Sequence, residues 1–230
     1  MALPDNVQGS ITAFFSALSA ISTYTDVSSG GNKYELYVYS LVHKALSKNF
    51  ELFPEGLSSA GEFKFKCSPT PISENFSYFT FIVPGRNLYE LRNGIEVKGH
   101  AMEHEMDIAV FNRANFNHGE YPNHSDLALS LECKFYDSAS ALKGEVRKYL
   151  GAISDLSKFA EPIGLPHLAG CMHLKHEFFK AFVTNVARSS RTDLQDFLSS
   201  YSLNPKFGIS PGTTEEQSFK DEISSESLNW

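Results

Sequence analysis

Two acidic residues and a lysine stand out for the chemistry they could do together. Asp107 lies in the apolar run Glu105–Phe111 (EMDIAVF), and Glu132 and Lys134 close the longer run Leu127–Tyr136 (LALSLECKFY). Both runs read as β-strands from their composition and alternation. A period of two puts Glu132 and Lys134 on one face, about 7 Å apart, and Glu105 and Asp107 on one face of the preceding strand. If the strands are neighbours, Asp107 stands beside Glu132 and Lys134. Carboxylates that close repel each other, and a hard divalent cation such as Mg²⁺ or Mn²⁺ relieves the repulsion through oxygen ligands and a few waters. An ion held there activates water and offsets charge on a phosphoryl oxygen, with Lys134 placed to orient the nucleophile or assist its deprotonation. This is the outline of a phosphodiesterase site.

The flanking segments must hold these strands in place. Ile11, Phe14, Phe15, Leu18 and Ile21 repeat at helical spacing, which predicts an amphipathic helix rather than a signal-peptide core: no Lys or Arg precedes it, and Asp5 does. A second helix is expected over 33–48, with Tyr34, Val38, Leu41, Val42 and Ala45 on one face and Asn32 as its N-cap. Strands follow at Glu62–Lys66 (EFKFK) and Tyr78–Val83 (YFTFIV), separated by Pro69 and Pro71. An Asn/Gly/Pro-rich loop, Asn112–Ser125, divides the two site strands. Beyond them come a long helix over 139–159 with a stripe of Leu142, Val146, Tyr149, Ile153 and Leu156, a strand at Phe182–Ala187 and a helix at Thr192–Ser200. Such alternation predicts an α/β fold around a mixed sheet flanked by helices. The organisation reads as an N-terminal helical extension (1–30), a core domain (31–205) and an acidic, loosely ordered C-terminal tail (206–230).

Asp107 followed by Glu132-Cys133-Lys134 near the end of the next strand resembles the PD-(D/E)xK motif of restriction-endonuclease-like nucleases. Glu35 matches the extra acid that many members carry in the first helix, and the αβββαβ order from about residue 32 to 187 is similar too. Met106 stands where the family's name has Pro. The resemblance implies that Asp107 and Glu132 bind Mg²⁺ or Mn²⁺, that Cys133 contributes its backbone carbonyl, and that Lys134 is catalytic, with Glu35 assisting. It also implies a cytoplasmic enzyme cutting DNA, in restriction, defence or repair, with homodimerisation common in the family and RNA an open alternative. In nucleases of this kind the long helix often meets the substrate backbone, which makes Lys143 and Arg147 the leading phosphate-contacting candidates. Lys148, Ser154 and Lys158 share or border that face, and Arg188 and Arg191 follow the last strand.

Two other acid-x-Lys triplets occur. Glu62-Phe63-Lys64 has no acidic strand before it, and Glu96-Val97-Lys98 sits between Gly94 and Gly99 with its nearest strand acid afterwards. Only Glu132-Cys133-Lys134 ends a long apolar strand, follows an acidic one and precedes a long helix. Blander roles compete for the same residues. Glu35, three positions after Asn32, fits the N3 place of a capping box, and Glu132 with Lys134 fits a surface charge pair. A catalytically inactive binding or regulatory module of the same fold is one alternative. A zinc peptidase is another: His100-Ala101-Met102-Glu103-His104 fits H-x-x-E-H, which requires both histidines on one helical turn. Cys171, His173 and His176 form a looser metal-type cluster.

Composition sets the frame. The 230 residues are 42% hydrophobic and 13% aromatic, enough for a sizeable core. Cys67, Cys133 and Cys171 make no disulfide framework and suit a reducing compartment. No stretch approaches the roughly 20 apolar residues of a membrane span. The net charge of −7 argues against a large basic DNA-binding face, but Thr213–Trp230 carries −4 of it, leaving −3 for the rest.

Overall fold

In the computed structural model, which describes residues 5–27, 29–67, 76–115, 120–136, 139–157, 178–190, 192–201 and 203–230, seven strands build one sheet. A separate parallel pair consists of β1 (Thr23–Tyr24) and β3 (Glu62–Phe63). The main sheet runs, in space as in sequence, through β2 (Phe53–Glu55), β4 (Tyr78–Ile82), β5 (Leu88–Lys98), β6 (Glu103–Asn112), β7 (Leu127–Lys134), β8 (Phe179–Thr184) and β9 (Asn204–Phe207). Pairing is antiparallel from β2 to β7 and parallel from β7 to β9. The parallel step from β7 to β8 needs a crossover, and α3 (Leu142–Leu156) lies within it.

Each face of the sheet has its own core. On one side α1 (Asp5–Ser16), α2 (Gly30–Leu46) and α5 (Thr214–Ser227) pack with Leu91, Ile108, Val110, Leu129 and Leu131. On the other, α3 and α4 (Thr192–Ser200) pack with Ala109, Phe111, Leu127 and Phe182. The expected stripe of α3 is the buried one: Leu142, Val146, Tyr149, Ile153 and Leu156. α2 is buried almost all round, because α1 and α5 cover what the sheet does not.

Several elements depart from the sequence expectation. α1 starts and ends earlier than Ile11–Ile21, β3 is only the first part of the EFKFK run, and β8 precedes the expected Phe182–Ala187 by three residues. The longest strand, β5, was not anticipated. The expected loose tail is an ordered strand and helix. Thr213 caps α5 by accepting the Glu216 amide at 3.1 Å, and Phe219, Ile223 and Trp230 are buried. Its acids are engaged rather than free: Asp221 pairs with Lys48 at 2.6 Å, Glu222 with Lys206, and Glu216 with Lys220 at 2.8 Å. Phe219→Ala should therefore cost about 3–5 kcal/mol, read as a lowered urea midpoint with an unchanged slope. A loose tail would give no change.

α2 also buries His43, between the rings of Phe14 and Phe79 at 5.0 and 4.3 Å. Burial first, then the nearby Lys44 charge, lowers its pKa from 6.5 to about 4. Above pH 6.5 the ring is neutral whether the chain is folded or not. Between pH 6.5 and 4 the unfolded chain takes up a proton that the fold refuses, so stability falls as the pH drops and levels off below about 4. The loss is on the order of 3 kcal/mol. Chemical denaturation across this range should show it, and His43→Gln should flatten that part of the profile.

Candidate active site

The site forms where two strands part. β6 and β7 pair from Phe111↔Leu127 to Ile108↔Leu131. Beyond that rung lie Asp107 on β6 and Glu132 on β7, and here a side chain takes over from the backbone: Asp107 Oδ2 accepts the Cys133 amide at 2.7 Å. On its other side β7 stays in register with β8 through Glu132↔Phe182 and Lys134↔Thr184, so the acid-x-Lys triplet sits on a fixed backbone. Lys134 Nζ donates to Asp107 Oδ2 at 3.1 Å and to Glu132 Oε1 at 2.7 Å. The three side chains are 16%, 14% and 21% exposed (Asp107, Glu132, Lys134), which is desolvated yet reachable from outside.

Glu35 joins them from α2. The cap of that helix is Ser29, whose side chain accepts the Asn32 amide at 3.1 Å; Asn32 itself donates to the Cys67 carbonyl at 3.2 Å. The capping box expected at Asn32 is thus absent, and Glu35 falls in the second turn, facing the strands. Burial, and next the Asp107 carboxylate, push the Glu35 pKa up to about 8, against the opposing pull of Lys134. Burial and Asp107 likewise raise Glu132 to about 7. Burial alone would lower Lys134, but the carboxylates of Asp107 and Glu132 override it and hold the ammonium firmly protonated. Asp107 and Glu132 thus share one ammonium, and Glu35 and Glu132 hold protons at pH values where exposed carboxyls would have lost them.

Carboxylate oxygens are the ligands a hard divalent ion takes, but an ion there would have to displace the proton of Glu35 and the ammonium that Asp107 and Glu132 already hold. Among the described residues no three His, Cys, Asp or Glu side chains stand together as a ready-made metal cage. The ammonium of Lys134 lies between Asp107 and Glu132 instead. The Cys133 side chain is buried on the α2 side of the sheet, so only its backbone belongs to the site.

A buried lysine stem and a further acid adjoin the cluster at β5. Gly94 falls between Asn93↔Ile108 and Ile95↔Met106, which places it opposite Asp107. A Cβ there would lie 3.2 Å from Lys66 Cδ and 3.5 Å from Glu105 Oε1, so the lysine stem and the Glu105 carboxylate both pass over Gly94. Glu105 shares the Asp107 face as its spacing implies, and burial raises its pKa against the pull of Lys66. Lys66 was not singled out by sequence: its EFKFK run reads as an ordinary strand, and only the fold brings it to β5.

The other candidates separate. Lys143 and Arg147 lie on the exposed face of α3. The helix is anchored near the site by Tyr149, which donates to the Ser130 carbonyl at 3.2 Å. Lys148 is engaged with Glu145 at 2.9 Å. Arg188 opens the single turn Arg188–Ser190, while Lys158, Arg191, Cys171, His173 and His176 lie outside the described residues. The helical turn that zinc chemistry needs is absent from His100–His104, which forms a bend running into β6. There Asp155, at the end of α3, accepts the Ala101 and Met102 amides at 2.8 and 3.1 Å and bonds His104 Nε2 at 2.8 Å. A Cβ on Gly99 would collide with that carboxylate and lie 2.8 Å from the Met102 carbonyl. The H-x-x-E-H pattern thus builds a turn. No family model, curated protein or solved structure matches the chain.

Proposed function

We propose that the chain is a metal-dependent nuclease with a restriction-endonuclease-like αβββαβ core, formed by α2, β5, β6, β7, α3 and β8, which hydrolyses phosphodiester bonds in DNA. The single observation that carries this reading is the parting of β6 and β7 at Asp107, which gathers Glu35, Asp107, Glu132 and Lys134 from three elements into one desolvated cluster. Asp107, Glu132 and the Cys133 carbonyl would hold Mg²⁺ or Mn²⁺, with Glu35 behind them. When bound, such an ion lowers the pKa of its water and offsets charge on a phosphoryl oxygen.

The chain's own groups then have defined work. Asp107 fixes the β7 backbone through the Cys133 amide and steers Lys134 through its second bond. Lys134, kept protonated by two carboxylates, serves as a donor that orients the attacking oxygen and stabilises charge on the phosphate, rather than as the base. Glu35, with a pKa of about 8, is poised to take or return a proton near neutral pH. The exposed cations of α3 are placed to meet the backbone of the nucleic acid.

Purified protein is expected to nick or linearise plasmid DNA in Mg²⁺ or Mn²⁺ and to stop on chelation. Parallel assays on linear, single-stranded, methylated and RNA substrates would identify its preference. Failure to cut any of them with either ion would overturn the proposal. Pairing Lys143→Glu with Arg147→Glu should weaken DNA binding and flatten its salt dependence by about two phosphate contacts; an unchanged slope would remove α3 from the interface. No described helix is long and apolar enough to cross a membrane.

A further inference from the structure

We propose that the cleft along the free edge of β9 docks an extended segment of a partner protein that carries two adjacent basic residues. β9 is the last strand of the sheet, so among the described residues the outer side of its backbone pairs with no strand. Beside it, between α4 and α5, lies a cleft of about 390 Å³. Phe207, Ile209 and Phe219 form its buried, apolar floor. Asp196 and Ser199 of α4 stand on one wall and Thr214, Glu215 and Ser218 of α5 on the other, all of them exposed. The floor is fixed in place: the Ile209 amide donates to the Thr184 carbonyl at 3.1 Å, and the Tyr34 hydroxyl donates to the Ile209 carbonyl at 3.1 Å. A free strand edge in a formed cleft is the setting for strand addition, in which backbone hydrogen bonds give affinity and the walls give specificity.

The charge of the cleft selects its occupant. Its own cation, Lys206, is paired with Glu222. Glu216 and Asp221 of α5 likewise pair with lysines, whereas Asp196 and Glu215 have no cationic partner among the described residues. Glu215 has only the Thr214 hydroxyl, at 3.0 Å, and its stem lies over Gly208, where a Cβ would sit 3.7 Å from Glu215 Cγ. Each wall thus presents an unmatched carboxylate to whatever lies along β9. α4 and α5 cover opposite faces of the sheet, and successive side chains of a strand point to opposite faces. A segment added to β9 therefore aims one residue towards Asp196 and the next towards Glu215, and two adjacent lysines or arginines complement both. A second copy of the chain fits less well. With a net charge of −7 it brings acid to acid, and in a self-pair both β9 strands would carry Pro205, which has no amide to donate.

The test uses the full chain and a fluorescein-labelled peptide, Ser-Val-Thr-Lys-Lys-Thr-Val-Ser, followed by fluorescence anisotropy. Wild type should bind it, and Asp196→Lys and Glu215→Lys should each bind it at least about tenfold more weakly, because an attraction between close charges becomes a repulsion. Exchanging the first lysine of the peptide with the threonine before it puts both lysines on one face and should cost a similar factor. A pair of glutamates in place of the lysines should abolish binding. These peptide changes read the same geometry on wild-type protein, whatever a substitution does to its fold. No binding by wild type overturns the proposal, as does equal binding by both charge-reversed variants or of the spaced peptide. A wild-type dimer in sedimentation that Asp196→Lys dissociates gives the cleft to a second copy and overturns it too.

Discussion

Asp107→Ala is expected to abolish cleavage, lowering kcat at least about a thousandfold. It should also cost the fold about 2–4 kcal/mol. Both effects follow from one oxygen: Oδ2 accepts the Cys133 amide and the Lys134 ammonium. Without it a backbone donor loses its partner, a desolvated cation keeps only Glu132, and the end of β7 loses the contact that replaces the interrupted ladder. Asp107→Asn separates the two consequences. Its amide oxygen can still accept the Cys133 hydrogen bond, so the melting temperature should largely recover while cleavage and Mn²⁺ uptake do not. Cleavage that survives in Asp107→Asn would mean that the carboxylate serves only architecture.

The second large effect is expected from Lys134→Met. Cleavage should fall by about two to three orders of magnitude, because the donor aimed at the reacting oxygens is gone. Ion binding should move the other way. The ammonium lies between Asp107 and Glu132, and removing it leaves their charge to whatever cation is present. The variant should therefore melt lower than wild type without a divalent ion and gain more from saturating Mn²⁺. Paired melts of both proteins, with and without Mn²⁺, test this directly. Equal gains in the two would show that the lysine and the ion do not share the carboxylates. A regulatory module built on this fold would lose nothing measurable in cleavage by either substitution.

The grouping of Asp107, Glu132 and Lys134 was more legible in the sequence than the scaffold that holds it. Asp107, Glu132 and Lys134 could be read because they border stretches of β6 and β7 that are almost wholly apolar and are buried on both faces, Ile108–Phe111 and Leu127–Leu131. Glu35 was found by its helix, although the cap was misplaced: Asn32 follows Gly30 and Gly31, and a glycine pair reads as a poor helix start, yet both lie inside a helix capped by Ser29. β5 was missed because polar residues interrupt its apolar ones. Glu90 and Asn93 are buried among Tyr89, Leu91, Ile95 and Val97, matched by Arg92 on the same strand and by residues from elsewhere in the chain. Arg92 and Arg113 each lie 2.7 Å from Glu90, Arg92 also sits 3.5 Å over the Tyr78 ring, and Lys66 bonds Asn93. Alternation cannot reveal a strand whose buried residues are satisfied by ion pairs. α5 was missed for a related reason: its acids suggest solvent, and only Phe219 and Ile223, one turn apart, mark the face that docks on α2.

α2, closed in by α1, α5 and the sheet, has a consequence for how the site breathes. Backbone amides exchange with solvent deuterium only when hydrogen bonds open, and those in a helix enclosed on all sides open close to the global unfolding limit. Glu35 stands at the start of the enclosed stretch of that helix, Leu36–Leu46, whose amides should be among the slowest in the protein. α3 is enclosed on one side only and carries Lys143 and Arg147 on the face it leaves to water, so its exposed amides should exchange orders of magnitude sooner. The molecule would thus keep its acids on the part that yields last and its candidate grip on the substrate on a part that yields early. A single deuterium-exchange map would show that division along the chain.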